Sequence, residues 1–155
     1  MSQRTSTETY LKLRGLDDFY NIVKKFHIAG RHPAGEVTQV LTGKEKMRRA
    51  AWMQEELNEF IAAKCLVDQC DALGDLLWFV IGTMVCMGVE PSDILGPITT
   101  ANMAKIGLDG YVKYRESDGK IQKPEGWVPP EDEIAENLIE RYYVQDPNQM
   151  IFDFE

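Results

Sequence analysis

Two pairs of carboxylates stand at spacings that suit the binding of a divalent cation. Glu56 and Glu59 are three residues apart in a segment predicted to be helical, and Asp71 and Asp75 are four apart in the next such segment. Both spacings place the two side chains of a pair on one face of a helix. If the two helices form an antiparallel hairpin, the pairs face each other. The pattern then predicts an oxygen-rich Mg²⁺ site in which Mn²⁺ should substitute.

The surroundings of these carboxylates favour a cation over an internal ion pair. Lys64 is the only positive charge between Arg49 and Lys105, whereas Glu55 adds a further carboxylate beside Glu56. Asp75 directly precedes the apolar run LLWFVIG, and a carboxylate at the edge of a buried helix is costly unless it is paired or binds a cation. A solvated acidic face is the alternative interpretation. A ferritin-like di-iron site would need Glu-x-x-His pairs, which the sequence lacks.

Composition excludes several classes of protein. The chain has 155 residues, enough for one domain, and a formal net charge of −8. General nucleic-acid binding is disfavoured because it requires clustered Lys and Arg. We expect no bilayer-spanning run and no signal peptide, and hence a cytoplasmic protein. The three cysteines lie in apolar helical segments and are predicted to be buried free thiols rather than zinc ligands: Cys65, Cys70 and Cys86.

Apolar periodicity predicts an all-α fold of the four-helix-bundle type. Helices are expected from Leu16, over about 43–66 and 67–88, from Pro91 to about Ile106, and over 131–143. The turn signals Asp109-Gly110 and Asp118-Gly119 predict a short hairpin or ordered loop after the fourth helix. We expect a flexible lead-in (1–14), a helical domain (15–145) and a tail (146–155). The third helix is apolar nearly all round, which favours an oligomer.

These segments resemble the MazG-like, all-α NTP pyrophosphatase superfamily, in particular its bacterial and phage branch related to phosphoribosyl-ATP pyrophosphohydrolase. EELNEF carries Glu56 and Glu59 at the positions of the first acidic motif, and DALGDLLWFVIGT carries Asp75 at the Asp of the second. The segments ANMAKIGLDG and KPEGWVPP also match, so the likeness covers roughly residues 45–130. One departure is Ala72, which stands where the second motif has Glu; Asp71 could replace that residue.

The resemblance implies Mg²⁺-dependent cleavage of a nucleoside triphosphate into the monophosphate and pyrophosphate. The substrate would be a dNTP and the role control of the nucleotide pool. The resemblance does not select the base, for which we take a purine such as dGTP as the candidate. The chain would form a homodimer or a dimer of dimers, in the host cytoplasm if it is phage-encoded. Metal ligands would be Glu56, Glu59, Asp71 and Asp75, and catalytic carboxylates would be Glu55, Glu56 and Glu59, with Glu55 or a ligand as general base.

Substrate contacts are implied in three places. Asn102 and Lys105 match the positions that hold the triphosphate in the superfamily. Further charge on the pyrophosphate could be offset by loop cations, of which Lys120 is the one we assign; the others are Lys113, Arg115 and Lys123. The base would lie against Phe26 and His27, with Trp52 as another candidate.

The sequence leaves two alternatives open. Ala72 allows a catalytically inactive helical module that binds nucleotide or regulates another protein. Separately, the spacing from Gln149 to Phe154 loosely resembles peptides that bind the replication sliding clamp, although a packed or strand-adding tail is the other interpretation.

Overall fold

A computed structural model describes residues 13–142, and the regular secondary structure within that range is entirely helical. Its five helices follow in the order α1 (Leu16–Ala29), α2 (Gly43–Ala62), α3 (Leu66–Met87), α4 (Pro91–Met103) and α5 (Glu131–Tyr142). Both α1 and α2 pack on α3, and α4 packs on α1 and α5. The predicted all-α fold class is confirmed. The predicted tail, including the clamp-like peptide, lies outside the described residues, as does most of the lead-in.

The break between α2 and α3 comes earlier than the sequence predicted. The expected helix over 43–66 ends at Ala62, because Ala63 takes an extended backbone conformation with ψ 131°. Cys65 then caps α3, its Sγ accepting a hydrogen bond from the Asp68 amide at 3.4 Å. The prediction of buried thiols was wrong for Cys65 and Cys70, which are exposed, whereas Cys86 is buried. Cys65 and Cys70 both stand in the amino-terminal part of α3 and its cap, which the other described helices leave largely uncovered.

The fourth helix is also shorter than predicted, and the segment after it is not a regular hairpin. Beyond Met103 the amides of Lys105 and Ile106 bond to carbonyls three residues back, which replaces the α-helical pattern by tight turns. An isolated antiparallel bridge joins Tyr114 and Ile121. The ordered loop that the turn signals predicted is therefore present, with one β pair rather than two strands.

The connection from α1 to α2 is fixed along the carboxyl end of α3. The amide of Gly35 donates to the Val85 carbonyl at 2.8 Å, and that of Gln39 to the Met87 carbonyl at 3.0 Å. Thr38 Oγ1 donates to the Gly88 carbonyl at 3.1 Å. Carbonyls in the last turn of a helix have no partners within it, so the connection supplies the missing donors. Gly88 ends α3 in the left-handed conformation, with φ 67°.

The apolar core lies between α1 and α3. Tyr20 and Val23 of α1 pack against Ile81 and Val85 of α3. Trp78 extends this contact, since its ring meets the rings of Phe19 and Phe26 edge to face, with centroids 5.7 and 5.3 Å away. These contacts fix the register of α1 along α3.

Much of the amino-terminal half of α3 stays uncovered in the single chain. Leu66 and Val67 are each 74% exposed, and Leu73 and Leu77 also lie open. The expectation that no segment could span a bilayer was wrong by length and composition alone, because the 22 residues of α3 pass that test. A single helix of this kind is weak evidence for a membrane span, because core helices of soluble proteins also meet the length and composition criteria. The oligomer that would cover this side stays a prediction.

The close approach of Gly35 to α3 predicts a steric penalty for any side chain there. A Cβ at Gly35 would lie 2.7 Å from the Gly88 amide nitrogen and 2.9 Å from the Cys86 carbonyl oxygen. Backbone atoms cannot move aside cheaply, so Gly35→Ala should lower the free energy of unfolding by about 1–3 kcal/mol in urea titrations.

Gly74→Ala is the matched control, because a Cβ there meets nothing within 4 Å and the position is helical. It should raise the free energy of unfolding by up to about 1 kcal/mol. Equal stability of the two variants would contradict the proposed packing of the connection on α3.

Candidate active site

Five carboxylates gather where α3 folds back along α2. Glu55, Glu56 and Glu59 come from α2, and Asp71 and Asp75 from α3, two helices that pack closely and are joined by a short connection. Glu56 is half-buried and the other four are exposed. Burial raises the pKa of the Glu56 carboxyl, and the charges of Glu59, Asp75, Glu55 and Asp71, in that order, raise it further. The structure therefore brings all five predicted acidic residues into one electrostatic neighbourhood.

The donor set of this acidic cluster fits a hard cation in its chemistry. The ion pairs Arg48–Glu45 and Arg115–Asp118 do not involve the cluster's carboxylates, and no ion pair of these carboxylates is found among the described side chains of residues 13–139. Its donors are carboxylate oxygens, the ligands that Mg²⁺ takes together with water and phosphate. In the described part of the chain, however, no three His, Cys, Asp or Glu side chains converge closely enough to hold one ion. Four of the five are exposed and free to change rotamer, and the ligand assignment stays a prediction.

Position 72 is the point at which the cluster departs from the expected motif. Ala72 is only 3% exposed, so this position faces the packing of the helices. Asp71 lies on the exposed side of α3, and its charge is the weakest of the four acting on Glu56. The side chain of Asp71 therefore leaves the helix in a different direction from that of a glutamate at position 72.

Asn102 and Lys105, the two residues that match the triphosphate-holding positions, lie together at the end of α4. The Lys105 ammonium donates to Asn102 Oδ1 at 2.8 Å and lies 5.3 Å from the centroid of the Trp127 ring. The helix that carries Asn102 packs on α1 and α5, and it makes no extensive contact with α2 in the described residues. The structure thus joins these two residues to each other, at the end of a helix that does not pack extensively on α2.

The structure of the loop after α4 distinguishes between candidate cations that the sequence could not separate. Arg115 is engaged by Asp118, with Nη2 donating to the carboxylate at 2.7 Å. Lys113 and Lys123 line one cavity of about 340 Å³ together with Lys105. Lys120 is not among the residues lining that cavity. The composition of the loop gave no signal for this division, because it depends on how the loop is paired.

The three aromatic candidates for holding the base are placed differently from one another. Phe26 is 54% exposed beside Trp78. Trp52 is half-buried, with its ring 5.6 Å from that of Phe79. His27 is only 4% exposed and faces the interior. Of the three, Phe26 presents the most surface to a ligand.

A buried polar cluster surrounds His27 and joins three helices. His27 Nδ1 donates to the Pro33 carbonyl at 2.7 Å, and Nε2 lies 3.3 Å from Nη2 of Arg49 and accepts from it. The same Nη2 lies 3.4 Å from Cys86 Sγ. Gly82 leaves room for the Arg49 guanidinium, since a Cβ at this position would lie 2.7 Å from Nη2 of Arg49. Sequence reasoning missed this cluster, and the packing role of His27 within it was not predicted.

Two titrating groups in this cluster are shifted by their burial. Desolvation lowers the pKa of His27 and is the largest effect. The hydrogen bond to the Pro33 carbonyl opposes it, and the charges of Arg49 and His32 lower the pKa further, against a smaller opposing effect of Glu45. Burial raises the pKa of the Cys86 thiol. Both groups are therefore held in their neutral forms, and Arg49 carries the charge of the cluster.

Comparison with known proteins bears on the acidic cluster. The family model for phosphoribosyl-ATP pyrophosphohydrolase matches residues 20–102, more than half of the chain and a range that holds all five carboxylates. The chain is similar to a provisionally named NTP pyrophosphohydrolase of known crystal structure from Exiguobacterium sp. 255-15. The two are 27% identical over 81% of this chain and 96% of that one, with a TM-score of 0.45. No curated protein matches the chain.

The lowered pKa of His27 predicts loss of stability in acid. A group that is harder to protonate in the folded state than in the unfolded state contributes full stability above its unfolded pKa, 6.5, and loses it as the pH falls through the folded value. The free energy of unfolding, measured in urea from about pH 8 to about pH 5, should therefore fall less steeply for His27→Gln than for the wild type.

The difference between the two slopes isolates His27, because the shifted Glu56 titrates in both proteins. Parallel curves for wild type and His27→Gln would show that His27 carries no such linkage.

Proposed function

Because the chain belongs to the phosphoribosyl-ATP pyrophosphohydrolase family, we propose that it hydrolyses a nucleoside triphosphate to the monophosphate and pyrophosphate with Mg²⁺ as cofactor. The observation that carries this proposal is the acidic cluster around Glu56. A half-buried carboxylate among four others, without a cationic partner within the described residues, is unfavourable unless a cation is bound. Divalent cations supply the positive charge that such a site lacks, and a polyphosphate can then bind through those cations.

Each residue of the cluster has a proposed part in the reaction. Glu56, Glu59, Asp71 and Asp75 would hold Mg²⁺, for which Mn²⁺ would substitute. When bound, the ion offsets charge on the phosphate oxygens and lowers the pKa of a coordinated water. Glu55 is exposed beside this set and accepts the proton of the attacking water as general base. Water adds to phosphorus, the bond between the α and β phosphates breaks, and pyrophosphate leaves.

We propose a deoxynucleoside triphosphate as the substrate, with a purine such as dGTP first to be tested. The exposed ring of Phe26 beside Trp78 offers an apolar face on which a base can stack. The exposed leucines and valine of α3 support a homodimer, or a dimer of dimers, as the working state, since apolar side chains in such number favour a partner surface.

A second candidate function follows from Ala72. If the acidic cluster cannot bind metal without the glutamate of the family motif, the chain would be a helical module that binds nucleotide without cleaving it. The buried position of Ala72 supports this alternative. It differs from the enzyme in predicting nucleotide binding with no release of pyrophosphate.

The reaction can be tested by incubating the protein with each common NTP and dNTP, with Mg²⁺, Mn²⁺ or EDTA, and separating the products by ion exchange. We expect monophosphate and pyrophosphate from one nucleotide, and none with EDTA. Asp75→Asn and Glu59→Gln should each lower kcat by at least about 100-fold, because each removes a ligand charge that no neighbour replaces.

Asp68→Asn is the matched control, since it makes the same change on α3 away from the residues that act on Glu56, and it should keep kcat within about twofold. Diphosphate and orthophosphate as products, or activity that persists in EDTA, would rule out the proposed reaction. Nucleotide binding without turnover would establish the inactive module instead.

A further inference from the structure

The sides of α2 and α3 that meet carry two matching stripes of side chains. On each helix the members follow at intervals of three and four residues, which places them on one side of that helix. Because the two helices pack closely and three residues join them, they run antiparallel. The stripe on α2 is Arg49, Trp52 and Glu56, and it lies opposite Gly82, Phe79 and Asp75 of α3.

The first two levels of these stripes are in direct contact. A Cβ on Gly82 would lie 2.7 Å from Nη2 of Arg49, so the guanidinium occupies the space that a side chain of α3 would fill. At the next level the centroids of the Trp52 and Phe79 rings are 5.6 Å apart. The Arg49 guanidinium also lies 5.5 Å from the centroid of the Trp52 ring, which joins the two levels. Together these contacts hold one side of α2 against α3.

Glu56, at the third level, has no contact of its own that would hold it in place. Its carboxylate makes no hydrogen bond or ion pair among the described side chains of residues 13–139. The neighbouring carboxylates, Asp75 among them, repel it. Turning α2 by one residue would move each of its side chains by about 100° around the helix axis and carry Glu56 away from Asp75. The position of Glu56 therefore depends on the contacts at the first two levels.

Arg49 fixes the rotation of α2 in a way that an apolar side chain could not. It is only 4% exposed, and its Nε has no hydrogen-bond partner in the described residues. Stability does not account for such a residue, because apolar side chains of similar volume often replace buried charges without loss. The guanidinium adds direction, since Nη2 donates to Nε2 of His27 on α1 at 3.3 Å and to Sγ of Cys86 on α3 at 3.4 Å. These bonds tie α2 to two other helices at one rotation.

From these observations we infer that Arg49 is a positioning residue for the acidic cluster, holding α2 at the rotation that places Glu56 opposite Asp75. The inference rests on the proposed function only for the ion that the cluster binds. It also predicts the sign of an effect. A positive charge two turns from Glu56 opposes cation binding through its field, so removing the charge alone would strengthen binding. Losing the positioning would weaken it.

The probe is Mn²⁺ alone, titrated calorimetrically into the full chain without nucleotide. Arg49→Met should weaken Mn²⁺ binding about tenfold, as expected for a residue that orients metal ligands. Arg48→Met is the matched control, because Arg48 is exposed on the same helix and its guanidinium lies 5.3 Å from the centroid of the Trp52 ring. This control should bind Mn²⁺ within about twofold of wild type. A cooperative urea transition checks that each variant is folded.

A second pair of variants displaces the Arg49 guanidinium without changing the charge of the chain. Gly82→Ala places a methyl group against Nη2 of Arg49 and should also weaken Mn²⁺ binding. Gly74→Ala makes the same change on the same helix, where a Cβ meets nothing within 4 Å, and should bind Mn²⁺ within about twofold of wild type. If Arg49→Met does not fold, the comparison of these two variants decides.

The rotation of α2 can also be followed directly, in the absence of metal. Nuclear Overhauser contacts between the rings of Trp52 and Phe79 should be weakened in Arg49→Met and retained in Arg48→Met. If the wild type binds no Mn²⁺, the proposed metal site fails and these ring contacts alone decide the role of Arg49. Full retention of the contacts in Arg49→Met would then overturn the inference.

Two results with Mn²⁺ would also overturn it. Unchanged or tighter binding in Arg49→Met would show that this residue acts on the acidic cluster through its charge or not at all. Unchanged binding in Gly82→Ala would show that the position of the guanidinium is immaterial. If Mn²⁺ binding depends on Arg49 but no nucleotide is cleaved, the positioning role stands and the proposed reaction fails.

Discussion

A buried cation at the junction of α1, α2 and α3 constrains the fold. Arg49 is only 4% exposed, and its Nε is the buried side-chain nitrogen without a hydrogen-bond partner in the described residues. Burying a guanidinium is costly, and the charge is met here by a neutral imidazole and a thiol rather than a carboxylate. Each neighbour must therefore be placed closely: His27 by its bond to Pro33, and α3 by the missing side chain of Gly82.

This junction also links the core to the acidic cluster. Arg49 and Glu56 are seven residues apart on α2, which places them on the same side of the helix, two turns from each other. Whatever fixes Arg49 against α3 also fixes the rotation of α2 and hence which carboxylates face α3. Trp52 lies between Arg49 and Glu56 on α2, and its aromatic contact with Phe79 of α3 also helps to fix the rotation of α2.

The sequence predicted the helices well, because apolar periodicity depends only on neighbours along the chain. It failed where the outcome depends on packing. No glycine or proline near Ala62 indicates in the sequence that α2 ends there. The contact of His27 with Arg49 joins residues 22 apart, and nothing in either segment alone indicates it. The acidic residues could be grouped from helical spacing. The lysines of the loop could not, since the division between Lys120 and Lys123 depends on the pairing of Tyr114 with Ile121.

The connection between α1 and α2 has a consequence for the order in which the chain can fold. Its hydrogen bonds to the end of α3, such as that of Thr38 with Gly88, join residues 50 apart, whereas three residues separate α2 from α3. Closing the longer loop costs about 2.5 kcal/mol more chain entropy. The helical hairpin of α2 and α3 is thus the cheaper unit to form, and docking of the connection completes the structure. Protection of the Gly35 amide from hydrogen exchange therefore reports on the finished fold, while protection within α2 and α3 reports on the hairpin.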